Sequence, residues 1–218
     1  MEKVNFTSFL LGWLFGIAGT ILSTLFLDWT KTKSKRRELT AGIIAEFEEI
    51  RLRLTYNLFT INLRYGELTK EQIDWTMETF SSYDEDRVGK EIIRKIRDLK
   101  NSDETEFRQA MEYQKREQEM NNTTINVKEL NLTFLDSNIG FVGLLNTKCR
   151  GKLLEIKTKM DLLNSEVRIH NNYCQLSFQA EGDNHLRIIK NSDTSIKSIA
   201  YQSKQIADDI SHLLEQLR

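Results

Sequence analysis

The sequence predicts an all-α protein: a single N-terminal transmembrane helix continuing into a cytoplasmic antiparallel helical bundle with coiled-coil-like seams. Three observations predict it. The 218 residues include no proline and only ten glycines, so few positions force a helix to stop. Residues Phe6 to Leu27 form an uncharged, mostly apolar run of 22, followed at once by Lys31, Lys33, Lys35, Arg36 and Arg37. Two later stretches repeat apolar residues at the alternating three- and four-residue spacing of a helical seam.

The apolar run comes first. At about 1.5 Å per residue, 22 helical residues match the roughly 30 Å hydrocarbon core of a bilayer. The cations follow the run, the run is longer than a secretory signal core, and no small-residue cleavage site closes it. These features predict an uncleaved anchor over residues 1–30 and a basic juxtamembrane collar over 31–38. The collar (Lys31, Lys33, Lys35, Arg36, Arg37) would lie at the membrane surface, which puts the N-terminus outside and the C-terminal body in the cytoplasm, at the inner membrane. Within the run, Ser8, Gly12, Gly16, Thr20 and Thr24 recur every fourth residue. Such a small-residue face lets helices approach closely in lipid, although glycine and threonine are common in spans anyway.

The body occupies residues 39–218. Residues 1–37 hold six of the 31 basic and two of the 32 acidic residues, which leaves 25 basic and 30 acidic in the remainder. A mildly acidic body argues against non-specific nucleic-acid binding, which needs a basic face. Leu39, Ile43, Phe47, Ile50, Leu54, Leu58, Ile61 and Tyr65 form an apolar stripe at helical period. One helix is therefore expected to run from about residue 4 to Gly66, a C-cap glycine. Thr69 and Gln72 form a capping box that opens the next helix, with Ile73, Met77 and Phe80 on one face. Val88, Ile92, Ile96 and Leu99 mark another, and Asp103 caps a third. Residues 104–120 carry few apolar groups beyond Phe107 and Met111, and read as exposed or loosely packed. Residues 121–138 show no clear period and read as a loop or a short β excursion.

Two strong helices complete the chain. One begins near Ile139, capped by Asp136, Ser137 or Asn138, with a seam through Leu153, Ile156, Met160 and Leu163. After a turn at Gly182-Asp183-Asn184, the other carries Ile196, Ile199, Ile206, Ile210 and Leu213. Together they suit an antiparallel hairpin packed on the first helix. Asn146, Ser192 and Ser203 interrupt these seams, either as register devices or, more simply, as looser packing at the bundle ends.

No catalytic signature is present: the chain lacks a P-loop, GxGxxG, HExxH, CxxC and GxSxG. His170 falls on a seam and reads as a core or rim histidine. The pairs Asp209/His212 and Glu166/His170 fall short of the doubled Glu-x-x-His set of di-metal bundles, so no metal or cofactor is expected. Glu46, Glu48 and Glu49 read as a solvated helix face. Cys149 and Cys174, about 37 Å apart on one continuous helix, are too distant for a disulfide and read as small core residues.

The stretch Asp136-Ser137-Asn138-Ile139-Gly140, with Leu144 and Leu145 beyond it, and the basic segment 33–39 resemble uncharacterised bacterial proteins with an N-terminal transmembrane anchor and a cytoplasmic helical domain. The likeness covers about a third of the chain and implies architecture and bacterial origin only. The expected function is non-enzymatic self-assembly and partner binding at the membrane face, with lipids, a second copy and a protein as partners. An effector or sensor of a bacterial stress or phage-defence system would be one example. The alternatives are a subunit of an enzyme or nucleic-acid-processing complex whose active site a partner completes, and a passive envelope scaffold.

Overall fold

The absence of breakers between Phe6 and Tyr65 is realised as one helix. The computed structural model describes residues 6–121 and 125–218; residues 1–5 and 122–124, and the side chains of residues 6–12, 14, 85 and 121, lie outside the described residues. Helix α1 spans Phe6–Arg64, 59 residues, about 88 Å at helical rise. Its predicted stripe from Leu39 to Tyr65 is buried along its whole length. Gly66 ends the helix with φ 65°. The Gly66 amide donates to the Leu63 carbonyl (3.1 Å) and the Glu67 amide to the Asn62 carbonyl (2.8 Å), the paired bonds of a Schellman terminus.

The first third of α1 corrects the membrane assignment. Among the described residues, no helix is long and apolar enough to cross a membrane, which overturns the single-pass inner-membrane placement with its outside N-terminus and cytoplasmic body. Ser8 and Gly12 of the small-residue ladder are described by their helical backbone alone. The collar residues continue the same helix, and two of them cover aromatic rings: Lys33 Nζ sits 4.9 Å from the Trp29 ring and Lys35 Nζ 4.7 Å from that of Phe141.

Every regular element among the described residues is helical. Helix α2 (Lys70–Ser81) opens with both halves of the Thr69/Gln72 capping box. Short α3 (Glu85–Val88) and α4 (Lys90–Asn101) follow. Helix α5 (Glu104–Asn121) is capped by Asp103 Oδ1, which accepts from the amides of Thr105 and Glu106 at 2.7 and 2.8 Å. These helices cover a second face of α1. Leu52, Phe59 and Leu63 pack there with Ile73, Phe80, Ile96, Phe107 and Met111. The stretch 104–120 is therefore docked through Phe107 and Met111, because α1 is apolar on two sides.

The chain then runs without regular secondary structure through 125–132 into α6 (Thr133–Asn138) and a 3-10 segment (Ile139–Leu144). Helix α7 (Thr147–Ser177) starts eight residues later than its seam suggested. Gly140 and Gly143 lower helix propensity in that stretch, and Leu145 is extended, with ψ 158°. Asn146 is no seam interruption: its Oδ1 accepts from the Cys149 amide at 2.8 Å and caps α7. Helix α8 (Gly182–Leu217) returns along α7.

Contacts running in reverse order make α7 and α8 antiparallel: Lys152 meets Asp209, Glu166 meets Ser195 and His170 meets Ser192. The same test makes α8 antiparallel to α1, through Glu48–Arg218, Arg51–Ser211 and Tyr65–Asp193. All nine predicted seam residues, from Leu153 to Leu163 and from Ile196 to Leu213, are buried. They join the α1 stripe in the main core.

Ser192 and Ser203 lie inside this core rather than at loose ends; both are fully buried. Ser203 Oγ makes no hydrogen bond among the described residues. A buried hydroxyl without a partner costs free energy, so Ser203→Ala is expected to leave stability unchanged or raise it by about 1 kcal/mol. Urea unfolding of the two proteins checks this; a loss above that amount would reveal a partner for the hydroxyl.

Candidate functional site

The segment without periodicity builds the most specific polar structure in the molecule. Residues 125–132 carry no regular secondary structure and lie as a strap along α7, with Val127, Leu130 and Leu132 buried in the main core. Asn164 holds Leu130 at both main-chain groups. Its Oδ1 accepts from the Leu130 amide at 3.0 Å and its Nδ2 donates to the Leu130 carbonyl at 2.8 Å. Asn171 holds Val127 in the same way, at 3.3 and 2.8 Å. Seven helical residues rise about 10.5 Å and three extended residues span about 10 Å, so the two asparagines match the strap's three-residue repeat. Each carboxamide substitutes for a strand neighbour and satisfies backbone groups that burial would otherwise leave unpaired.

Other side chains complete this cradle. His170 Nε2 lies 2.6 Å from the Ile125 carbonyl, and Nδ1 lies 3.2 Å from the Ser192 carbonyl and 3.4 Å from the Ser192 hydroxyl. Cys174 Sγ lies 3.5 Å from the same Nε2. Arg168 binds Glu129 at 2.6 Å. Glu46, expected on a solvated face, turns from α1 to accept the amides of Phe134 and Leu135 at 2.6 and 3.0 Å. It caps α6, whose own N-cap residue, Leu132, has no side-chain acceptor.

A groove of about 530 Å³ runs beside the strap. Residues Glu49, Leu52, Arg53, Tyr56, Asn57 and Thr60 form one wall, a single face of α1 at helical spacing, and residues 125–128 with Leu130 form the other. Phe80, Arg87 and Val88 also line it. Glu49 is gripped by Arg87 and Arg53 at 2.6 and 2.7 Å. These hydrogen bonds, that from Arg87 the stronger, hold its carboxyl below the usual range and raise Arg87 in turn. Along the strap, the main-chain groups of Asn126 and Lys128 make no hydrogen bond among the described residues, and both residues are exposed.

The remaining candidates are dispersed. Gly16, Thr20 and Thr24 lie on the exposed end of α1. Asp209 is committed to Lys152 and Lys159, each at 2.6 Å. Partial burial raises its carboxyl, and the two lysines outweigh that and lower it. His212 faces Glu215 at 3.8 Å, and Glu166 accepts from Ser195. No group of acidic, histidine or cysteine side chains that could hold a metal occurs among the described residues. Cys149 and Cys174 are buried and free on α7.

No protein family, curated protein or solved structure matches this chain. Asn164 and Asn171 escaped the sequence reading because they stand beside the seam. The signal was present: two asparagines a heptad apart near a buried face.

Proposed function

We propose that this is a non-enzymatic self-assembly and partner-binding protein, and that copies associate through the N-terminal end of α1. The observation that carries this reading is the apolar surface there. Trp13, Phe15, Leu22, Leu25 and Phe26 are each more than 60% exposed, on several sides of one rod extending beyond the helical body. Exposed apolar patches of this kind mark contact surfaces. The polar groups among them are already satisfied: Thr20 donates to the Gly16 carbonyl, Thr24 to that of Thr20 and Ser23 to that of Gly19, at 2.8–2.9 Å. A Cβ at Gly16 or Gly19 would meet nothing within 4 Å, so a partner backbone can approach there. A second copy presents the same face, which allows a closed, self-complementary contact.

Sedimentation velocity over a hundredfold concentration range tests the reading. The full chain is expected to associate, and Gly16→Ile with Leu22→Glu to weaken association at least about tenfold, roughly 1.4 kcal/mol. Both positions are exposed, so the melting temperature should hold. A monomer at every concentration, or association untouched by both changes, removes the proposal.

A further inference from the structure

Helix α7 carries a second seam, on the side turned away from the core. Thr158, Leu162, Ser165, Ile169, Asn172 and Leu176 follow one another at alternating spacings of four and three, and all six are exposed. Such spacing keeps residues on the one stripe that a partner helix covers. Leu162 is 62% exposed, Ile169 47% and Leu176 39%, large aliphatic side chains a heptad apart. The residues between them are small or polar. Gly151 continues the stripe towards the N-terminus, with nothing within 4 Å of a Cβ. From Gly151 to Leu176 the stripe runs about 37 Å at helical rise.

The charges beside the stripe select its partner. Asp161 and Arg168 flank it on one side, Lys159 and Glu166 on the other. In an antiparallel pair of such helices, each flank faces the same flank of the partner, and flanking charges set orientation. With a second copy of α7 centred between Leu162 and Ser165, Leu162 lies opposite Ser165, Ile169 opposite Thr158 and Leu176 opposite Gly151. Every large side chain then meets a small one, as close packing requires. The same register sets Asp161 beside Arg168 of the second copy and Lys159 beside its Glu166, and the two-fold axis repeats each pair. The neighbouring registers fail. A shift of one heptad in one direction opposes Arg168 to Arg168 and Glu166 to Glu166; in the other it opposes Asp161 to Asp161 and Lys159 to Lys159. A parallel pair sets Asp161 beside Glu166. Like charges in these positions disfavour all three alternatives. The more exposed pair is free to reach across: the Asp161 side chain is 66% exposed and lies 3.7 Å from Lys157, and that of Arg168 is 57% exposed. Lys159 and Glu166 bond to Asp209 and Ser195 and remain partly exposed.

We infer that α7 pairs with α7 of a second copy, antiparallel, about a two-fold axis between Leu162 and Ser165. This contact shares no residue with that at the N-terminal end of α1. Two separate contacts on each copy link molecules into assemblies larger than dimers.

The test uses the full-length Gly16→Ile, Leu22→Glu protein, in which the contact at the end of α1 is disrupted, so the outcome does not depend on that reading. Ser165→Cys in this background is treated with a short bismaleimide. The two Ser165 positions stand about 4.5 Å apart along the helices, and a covalent dimer is expected. Thr158→Cys is the register control: its two copies stand about 16 Å apart along the helices, and little dimer is expected. Cys149 and Cys174 are buried, so the protein without an added cysteine gives the background. Asp161→Arg and Leu162→Glu, both at exposed positions, should each weaken dimerisation at least about tenfold in sedimentation velocity and suppress the Ser165→Cys cross-link. The melting temperature should not move. Absence of a covalent dimer with Ser165→Cys in folded protein overturns the inference. Cross-linking of Thr158→Cys to the same extent also overturns it, since that marks a parallel or random contact. A Ser165→Cys cross-link unchanged by both Asp161→Arg and Leu162→Glu does so as well.

Discussion

Asn164→Ala is expected to lower the unfolding free energy by about 2–4 kcal/mol. The reason is the pair of groups the side chain leaves behind rather than the carboxamide itself. Leu130 is 5% exposed, and its amide and carbonyl both bond to Asn164. Removing the partner strands a buried donor and a buried acceptor, each worth about 1–3 kcal/mol of desolvation. Asn171→Ala should cost less, because its clamp on Val127 is only part-buried. Urea unfolding gives the free energies, and hydrogen exchange gives the location: the Leu130 amide should lose protection most. Asn164→Asp separates geometry from packing, since it retains the acceptor for the Leu130 amide and opposes a carboxylate to the Leu130 carbonyl. A loss below about 0.5 kcal/mol for Asn164→Ala would mean that the strap is not held through its backbone.

Gly66→Ala is expected to cost about 3 kcal/mol, through two separate effects. The residue has φ 65°, a left-handed conformation that costs a residue with a Cβ about 1 kcal/mol. The added Cβ would also fall 2.2 Å from the Met111 carbonyl oxygen and 2.9 Å from Lys115 Cβ. Both belong to α5, so relief requires α5 to move off the end of α1 and loosen the second core around Phe107 and Met111. Gly66→Asn distinguishes the effects: asparagine tolerates the left-handed region but keeps the Cβ. If crowding dominates, its cost stays near that of alanine. Gly151→Ala is the control. That position is inside α7 with nothing within 4 Å of a Cβ, and alanine there should raise stability by up to about 1 kcal/mol. Chemical denaturation of the three variants decides among these outcomes.

The first prediction concerns how the strap attaches to α7 and the second how α5 packs on the C-terminal end of α1. The N-terminal end of α1 carries the self-assembly reading on its own residues.

What the sequence determined by itself was local and periodic. The stripe from Leu39 to Tyr65, the Gly66 terminus, the Thr69/Gln72 box, the Asp103 cap and the seams of α7 and α8 are all written in spacings of three and four or in single capping residues. Those are set by helix geometry and by the orphan groups at helix ends. A hydropathy run, by contrast, records only that residues are apolar, and the membrane placement drawn from Phe6–Leu27 did not survive. Tertiary structure alone decided the second core, the α6 cap supplied by Glu46 from 88 residues away, and the clamp of Asn164 on Leu130 across 34. Side-chain-to-backbone bonds over such separations leave no period in the chain, and a strap that buries Val127, Leu130 and Leu132 at uneven spacing resembles neither a helix nor a strand until α7 lies beside it.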